Sequence, residues 1–408
     1  MDCSGAYTVN RFALDRLVKP MRTQTDLGRE LDVTRDRTDA LFEIVRPDSL
    51  YDRPIPERHR IIFYLGHLEA FDWNLLGRYA LDRRSFHPEF DKLFAFGIDP
   101  PPGQLPSDKA SDWPSRREVE SYNRRTRDAI DQLIDEVPEQ LLHVAIEHRL
   151  MHAETLAYIL HQLPYSRKIA PAAEEPAEPV AVREHWMIDI PAGAAQLGLR
   201  GGFGWDNEFE AHEVDVPAFS IAKHKVTNGE FLEFVRQGEP APFFWAQREG
   251  RWFQRGMFEE FPLESDWPVY VTCEQAQAYA KWRGGALATE AQFHRAACLA
   301  SGASNGGGNF DFRRWDPVPV QASDSAAAVP SQLVGNGWEW TSTAFAPFPG
   351  FKRFPFYQNY SEPFFDGQHY VLKGASPVTA ARLTRPSFRN WFRPVYPYVY
   401  ATFRLVEA

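Results

Sequence analysis

The chain has 408 residues, long for one hydrophobic core and comfortable for two. Hydrophobic residues make up 44% and charged residues 25%, an ordinary globular composition, and a net charge of −10 without any basic stripe excludes a nucleic-acid partner. No apolar run reaches the roughly 18 residues of a membrane span, no signal peptide is apparent, and Cys3, Cys273 and Cys298 form neither a disulfide framework nor a thiolate metal site, so a cytoplasmic protein is expected.

The first third reads as helices. Between Met21 and Val45, Leu27, Leu31, Thr34, Thr38, Leu41 and Val45 recur at helical spacing, and Pro47 follows as a stop. A second helix is predicted from about Arg60 to Leu81, with Phe63, Gly66, His67, Ala70, Trp73 and Asn74 on one side. A third begins at Ser115, where Glu118 completes a capping box, and its apolar face is Val119, Tyr122, Ile130 and Leu133. A fourth spans about Glu139 to Gln162, between Pro138 and Pro164. Four long helices joined by loops predict a four-helix bundle, a fold that builds metal sites from inward-facing side chains.

An Ala-, Pro- and Glu-rich stretch, Ile169–Val182, then reads as an interdomain linker. Beyond Trp186 the helical period fades. Short segments punctuated by Gly, Pro, Trp and Phe predict an irregular α+β domain, with short helices near Asn228–Gln237 and Glu274–Arg283.

The sharpest chemical signal is His148-Arg149-Leu150-Met151-His152-Ala153-Glu154. Residues four apart on a helix lie one above the other, so His148 and His152 can present both imidazoles to one ion. Glu154 points about 200° away from His152 and suits a supporting or structural role. His67, inside the apolar segment "FYLGHLEAFDW", supplies the third ligand, and Gly66 beside it permits close helix approach. His59, His87, His143 and His161 lie near segment ends or at other helical angles. Three neutral imidazoles suit zinc, iron or copper, and they leave coordination positions open for catalysis.

The stretch at His148 has the form HX3HXE and resembles the iron-binding motif of the sulfoxide synthases of ergothioneine biosynthesis, whose first ligand sits in a Gly-His segment matching Gly66-His67. The second half is similar to that family's other domain in "FGWDNE" (203–208), "VTNGEFLEFV" (226–235), "ATEAQFHRAA" (288–297), "GNGWEWTSTAFAPFPGF" (335–351), "YVLKGAS" (370–376) and "FRNWFRP" (388–394). The resemblance covers nearly the whole chain in order. It implies a DinB-like four-helix bundle at 1–165 carrying the iron ligands, a linker at 166–184, and an α+β formylglycine-generating-enzyme domain, related to C-type lectins, at 185–408. It further implies Fe(II) and O2 joining a chalcogen donor to the imidazole C2 of hercynine. In "FYQNYSEPFF", Tyr357 matches the catalytic tyrosine and Tyr360 lies closer to the betaine. Asn390 and Trp391 match the hercynine-contacting pair, with the indole facing the trimethylammonium group. Phe392 and Met151 complete the expected substrate-binding set.

Departures from the family pattern bear on the donor. The loop from Phe96 contains no arginine until Arg116, Phe392 stands where an acidic residue often follows the Asn-Trp pair, and Gly374-Ala375-Ser376-Pro377 replaces the usual GGSW. A guanidinium clamp on carboxylate is hard to replace. The chain thus resembles the selenoneine synthases, which use a selenosugar, more than the synthases that use cysteine or γ-glutamylcysteine. A non-catalytic metal- or ligand-binding module is the contrasting expectation. The formylglycine-generating reaction itself is disfavoured, because no cysteine follows Cys298.

Overall fold

The computed structural model describes residues 24–98, 105–171, 186–300, 308–321 and 329–407. Most of the predicted linker, from 172 onward, lies outside the described residues. The chain divides into two compact units, Pro20–Ala173 and Glu174–Ala408.

The first unit is helical: α1 (Gln24–Glu43), α2 (Ile61–Asp72), α3 (Pro88–Phe96), α4 (Arg116–Leu133) and α5 (Glu139–His161). The stripe Leu27, Leu31, Thr34, Thr38 and Leu41 of α1 is buried, mainly against α5. α2 runs on through a π-helical stretch, Trp73–Tyr79. α4 opens with the expected reciprocal cap, Glu118 Oε2 accepting from Ser115 N at 2.8 Å. α5 is buried on most of its circumference, from Leu141 to Leu160, as a central helix must be. Residues after α5 are tied back to the end of α1, with Ile169 N donating to Ile44 O at 2.7 Å.

Helix α3 was not predicted. It is nine residues long, and periodicity is weak over so few. Its punctuation was nonetheless in the sequence: Pro88 at the first helical position and Gly97 just past the end, at φ 71°.

The second unit is α+β. One four-stranded sheet has the order β1 (Met187–Ile190), β4 (Phe219–Ala222), β13 (Leu405–Glu407), β8 (Ala286–Leu287). Another has the order β11 (Asn390–Phe392), β10 (Tyr370–Ala375), β9 (Gly337–Ala344), β12 (Ala401–Thr402). A two-stranded ribbon, β2 (Gly193–Leu197) with β3 (His212–Val216), and a three-stranded meander, β5 (Trp245–Arg248) to β6 (Arg251–Arg255) to β7 (Glu260–Pro262), complete the strands. Three helices accompany them: α6 (Asn228–Val235), α7 (Cys273–Trp282) and α8 (Glu290–Ala300). The first two sit where the sequence placed them, each behind a Thr cap.

Trp205, Trp338 and Trp340 are fully buried, and so are two ion clusters, Arg404 with Glu339 and Lys225, and Arg389 with Glu290. Cys273 carries a buried thiol whose pKa burial pushes up to about 12. Among the described residues no helix is long and apolar enough to cross a membrane.

Candidate functional site

α2 carries His67, and α5 carries His148 and His152 one turn apart. One ligand nitrogen from each ring lies within 4.8 Å of the others, and among the described residues no other three His, Cys, Asp or Glu side chains converge in this way. The Nε2 atoms of His67 and His152 are 3.2 Å apart. Two nitrogens each about 2.1 Å from a common ion have this separation when they subtend slightly more than a right angle. The cluster therefore fits a metal.

The surroundings keep the rings neutral, as ligation requires. Burial pushes the pKa of His67 from 6.5 down to about 4, and drives His148 and His152 well below the ordinary range. Phe71 lies flat on His148, with centroids 3.4 Å apart, and Phe63 stacks on His67 at 4.8 Å. His67 Nδ1 is 2.7 Å from the carbonyl oxygen of Phe94. An N–H there donates to that oxygen, which leaves the Nε2 lone pair for an ion.

A pH prediction follows for metal-free protein. The folded imidazoles hold protons less tightly than unfolded ones, so the unfolded chain takes up more protons between pH 6.5 and about 4. Stability should be constant with respect to these groups above 6.5 and fall as the pH is lowered through that window. Denaturant titrations at pH 7.5 and 5 test this, and equal midpoints would contradict it.

The other histidines have separate uses. His59 packs on Phe63, the His87 side chain caps α3, and His143 approaches Glu139 at 3.5 Å. Glu154 is buried on α5 but is not among the converging groups, and Met151 is half-buried there.

Sequence reasoning missed the charged cluster beside the site. Arg149 is fully buried and donates to Glu69 Oε1 at 3.0 Å, Asp72 Oδ2 at 2.6 Å and Leu68 O at 3.2 Å. Arg127 reaches the same Glu69 oxygen at 2.7 Å and Asp39 as well. Burial opposes ionisation of Glu69, but Arg149 and Arg127 outweigh it and hold the carboxyl at about 2. Burial, reinforced by the Glu69 charge, pushes Asp72 upward despite Arg149. These contacts weld α2 to α5 in the register that brings His67 opposite His148 and His152. The available signal was charge of opposite sign inside two otherwise apolar helices.

In the second unit, Tyr357, Tyr360 and Trp391 belong to one ring cluster. Trp205 stacks on Tyr360 at 4.1 Å, Tyr357 is 5.4 Å from Tyr360, and Tyr360 meets Trp391 at 5.4 Å, near perpendicular. Phe345 lies parallel to Trp391 at 4.2 Å and covers one indole face. Burial pushes Tyr357 up to about 12, so its phenol stays protonated at neutral pH. The tyrosine loop is held by Ser361, which donates to Asp206 and accepts from Asn207 Nδ2 at 2.9 Å. Trp205, Asp206 and Asn207 come from the quoted "FGWDNE" stretch, a use the motif did not disclose.

Asn390 and Phe392 flank Trp391 on β11, and strand alternation turns them to the opposite face. Asn390 Oδ1 accepts from Trp391 N at 2.9 Å, and Phe392 stacks on Tyr396 at 5.1 Å.

Residues 172–408 match the Sulfatase-modifying factor enzyme 1-like domain, and residues 30–162 match the DinB superfamily. The hercynine oxygenase of Mycolicibacterium smegmatis is 30% identical over 94% of this chain and 99% of its own length. The chain belongs to the ergothioneine synthase-like family. Another member, the hercynine oxygenase of Mycolicibacterium thermoresistibile, is 28% identical, with 94% of each chain covered. Ergothioneine biosynthesis protein 1 of Schizosaccharomyces pombe is 27% identical over 90% of this chain, which spans only 54% of that longer relative. Within this family the helical unit is the DinB part, and the α+β unit is the sulfatase-modifying-factor part.

Proposed function

We propose that the chain is an Fe(II)- and O2-dependent oxidoreductase that joins a chalcogen donor to the imidazole C2 of hercynine. The convergence of His67, His148 and His152 carries this reading. Iron held by the three imidazoles would supply open positions for a soft donor and for O2; the hydrogens lost from C2 and from the donor leave with one oxygen atom as water, and the other oxygen atom ends on the chalcogen as its oxide. The three neutral imidazoles add no anionic charge to the ion. In the second unit, Trp391 and Tyr360 offer π-faces for the trimethylammonium group, and Tyr357 holds a proton for transfer. By resemblance alone, Asn390, Phe392 and Met151 are also assigned to substrate binding, Asn390 and Phe392 lying on the strand face opposite Trp391.

Relatives named for hercynine oxygenation and ergothioneine biosynthesis favour a sulfur donor, cysteine or γ-glutamylcysteine, and hence a C–S bond. One observation supports a second reading, a selenosugar donor. No arginine lies between Phe96 and Arg116, where the resemblance expects a guanidinium clamp on a donor carboxylate.

Incubating the chain with hercynine, Fe(II), O2 and each donor class in turn, with product masses read out, decides between the readings. No consumption of hercynine with any donor would sink both. Trp391→Ala should lower kcat/KM for hercynine about 2- to 30-fold, the range of one cation–π contact, chiefly through KM.

A further inference from the structure

Helix α3 bears none of the three imidazoles, yet its C-terminal end meets one of them. The last carbonyls of a helix lack partners within it and carry the negative end of its dipole. Gly97 N satisfies Leu93 O at 2.6 Å, whereas Phe94 O, one residue on, is taken by His67 Nδ1 at 2.7 Å.

That approach depends on Gly66. A Cβ at position 66 would lie 2.4 to 2.6 Å from three atoms of the Phe94 ring, far inside contact distance. The ring is fully buried, with Phe90, Tyr122 and Trp113 around it, so it has nowhere to turn. A methyl group at 66 must therefore displace α3 itself. The helix is in turn anchored through Asp91: Tyr122 OH donates to Asp91 Oδ1 at 2.8 Å, and Asn74 Nδ2 donates to Asp91 O at 3.0 Å.

We infer that α3 is a positioning element for the metal ligand His67: the Phe94 carbonyl selects the Nδ1–H tautomer and aims Nε2 at the site, and glycine at 66 is required for the two to meet. The inference rests on the metal reading above for its effect on iron, but the tautomer exists without any ion. No side-chain substitution on α3 can delete a carbonyl, so displacement of the helix is the way to test it.

The experiment uses the full chain labelled with 15N-histidine. In metal-free protein above pH 7, long-range 1H–15N spectra should show His67 as the Nδ1–H tautomer. Gly66→Ala should yield a mixture of tautomers and weaken Fe(II) binding about 10- to 100-fold, the usual loss for an outer partner of a ligand. Gly66→Ala combined with Phe94→Leu, which makes room for the methyl group, should restore both properties, a recovery that general loss of structure does not explain. An Nε2–H tautomer in the native chain overturns the inference, as does unchanged iron affinity in Gly66→Ala. So does a double variant with native thermal stability that still binds iron weakly. If Gly66→Ala fails to fold, the native tautomer and the double variant decide. A native chain that binds no iron sinks the functional reading, while the tautomer stands or falls separately.

Discussion

His148→Ala is expected to reduce iron from about one per chain to less than about a tenth, and hercynine turnover to background. His148 is the most buried of the three imidazoles, 2% exposed, and its ring is clamped against Phe71, so no neighbouring ligand can swing into the vacated position. Two imidazoles remain, and neutral nitrogen donors hold Fe(II) weakly unless several act together. The lost ring leaves a cavity, costing roughly 2–4 kcal/mol, which a chain of this length can absorb while retaining its helix content. Metal analysis after gel filtration, with a far-ultraviolet circular dichroism spectrum as control, makes the measurement. Stoichiometric iron in the variant would contradict the ligand assignment.

The second large effect is on stability. Arg149→Leu removes a fully buried guanidinium but leaves Asp72 and Glu69 in the same apolar surroundings. Glu69 retains Arg127, whereas Asp72, bonded to Arg149 at 2.6 Å, loses its close cation. Breaking one side of a buried pair typically costs about 3–5 kcal/mol. For a unit of about 150 residues each kcal/mol lowers the melting temperature by roughly 2–4 °C, so a fall near 10 °C is expected. Adding Asp72→Asn should recover part of the loss by removing the stranded charge. A fall below about 2 °C, or no recovery in the double variant, would show that the cluster does not hold the two helices.

Some of this was legible before any coordinates. The stripe from Leu27 to Leu41, the Ser115–Glu118 cap and the one-turn pairing of His148 with His152 are local, because a helix repeats its geometry every few residues. The second unit's motifs identified the domain without revealing its strand order. "FGWDNE" and "FYQNYSEPFF" lie some 150 residues apart, yet Ser361 bonds Asp206 and Asn207. No period in the chain announces that pairing.

By itself, then, the amino-acid order determined the four long helices of the first unit and two short helices of the second, their apolar faces, and that two imidazoles share one side of α5. Tertiary structure decided the rest: that the end of an unpredicted nine-residue helix meets His67, that Arg149 joins α5 to the acids of α2, and that strand alternation separates Asn390 from the ring cluster. The physical reason is range. Backbone geometry repeats over three or four residues and can be read along the chain, whereas contacts between distant segments depend on how whole surfaces pack, a property that no single stretch of sequence contains.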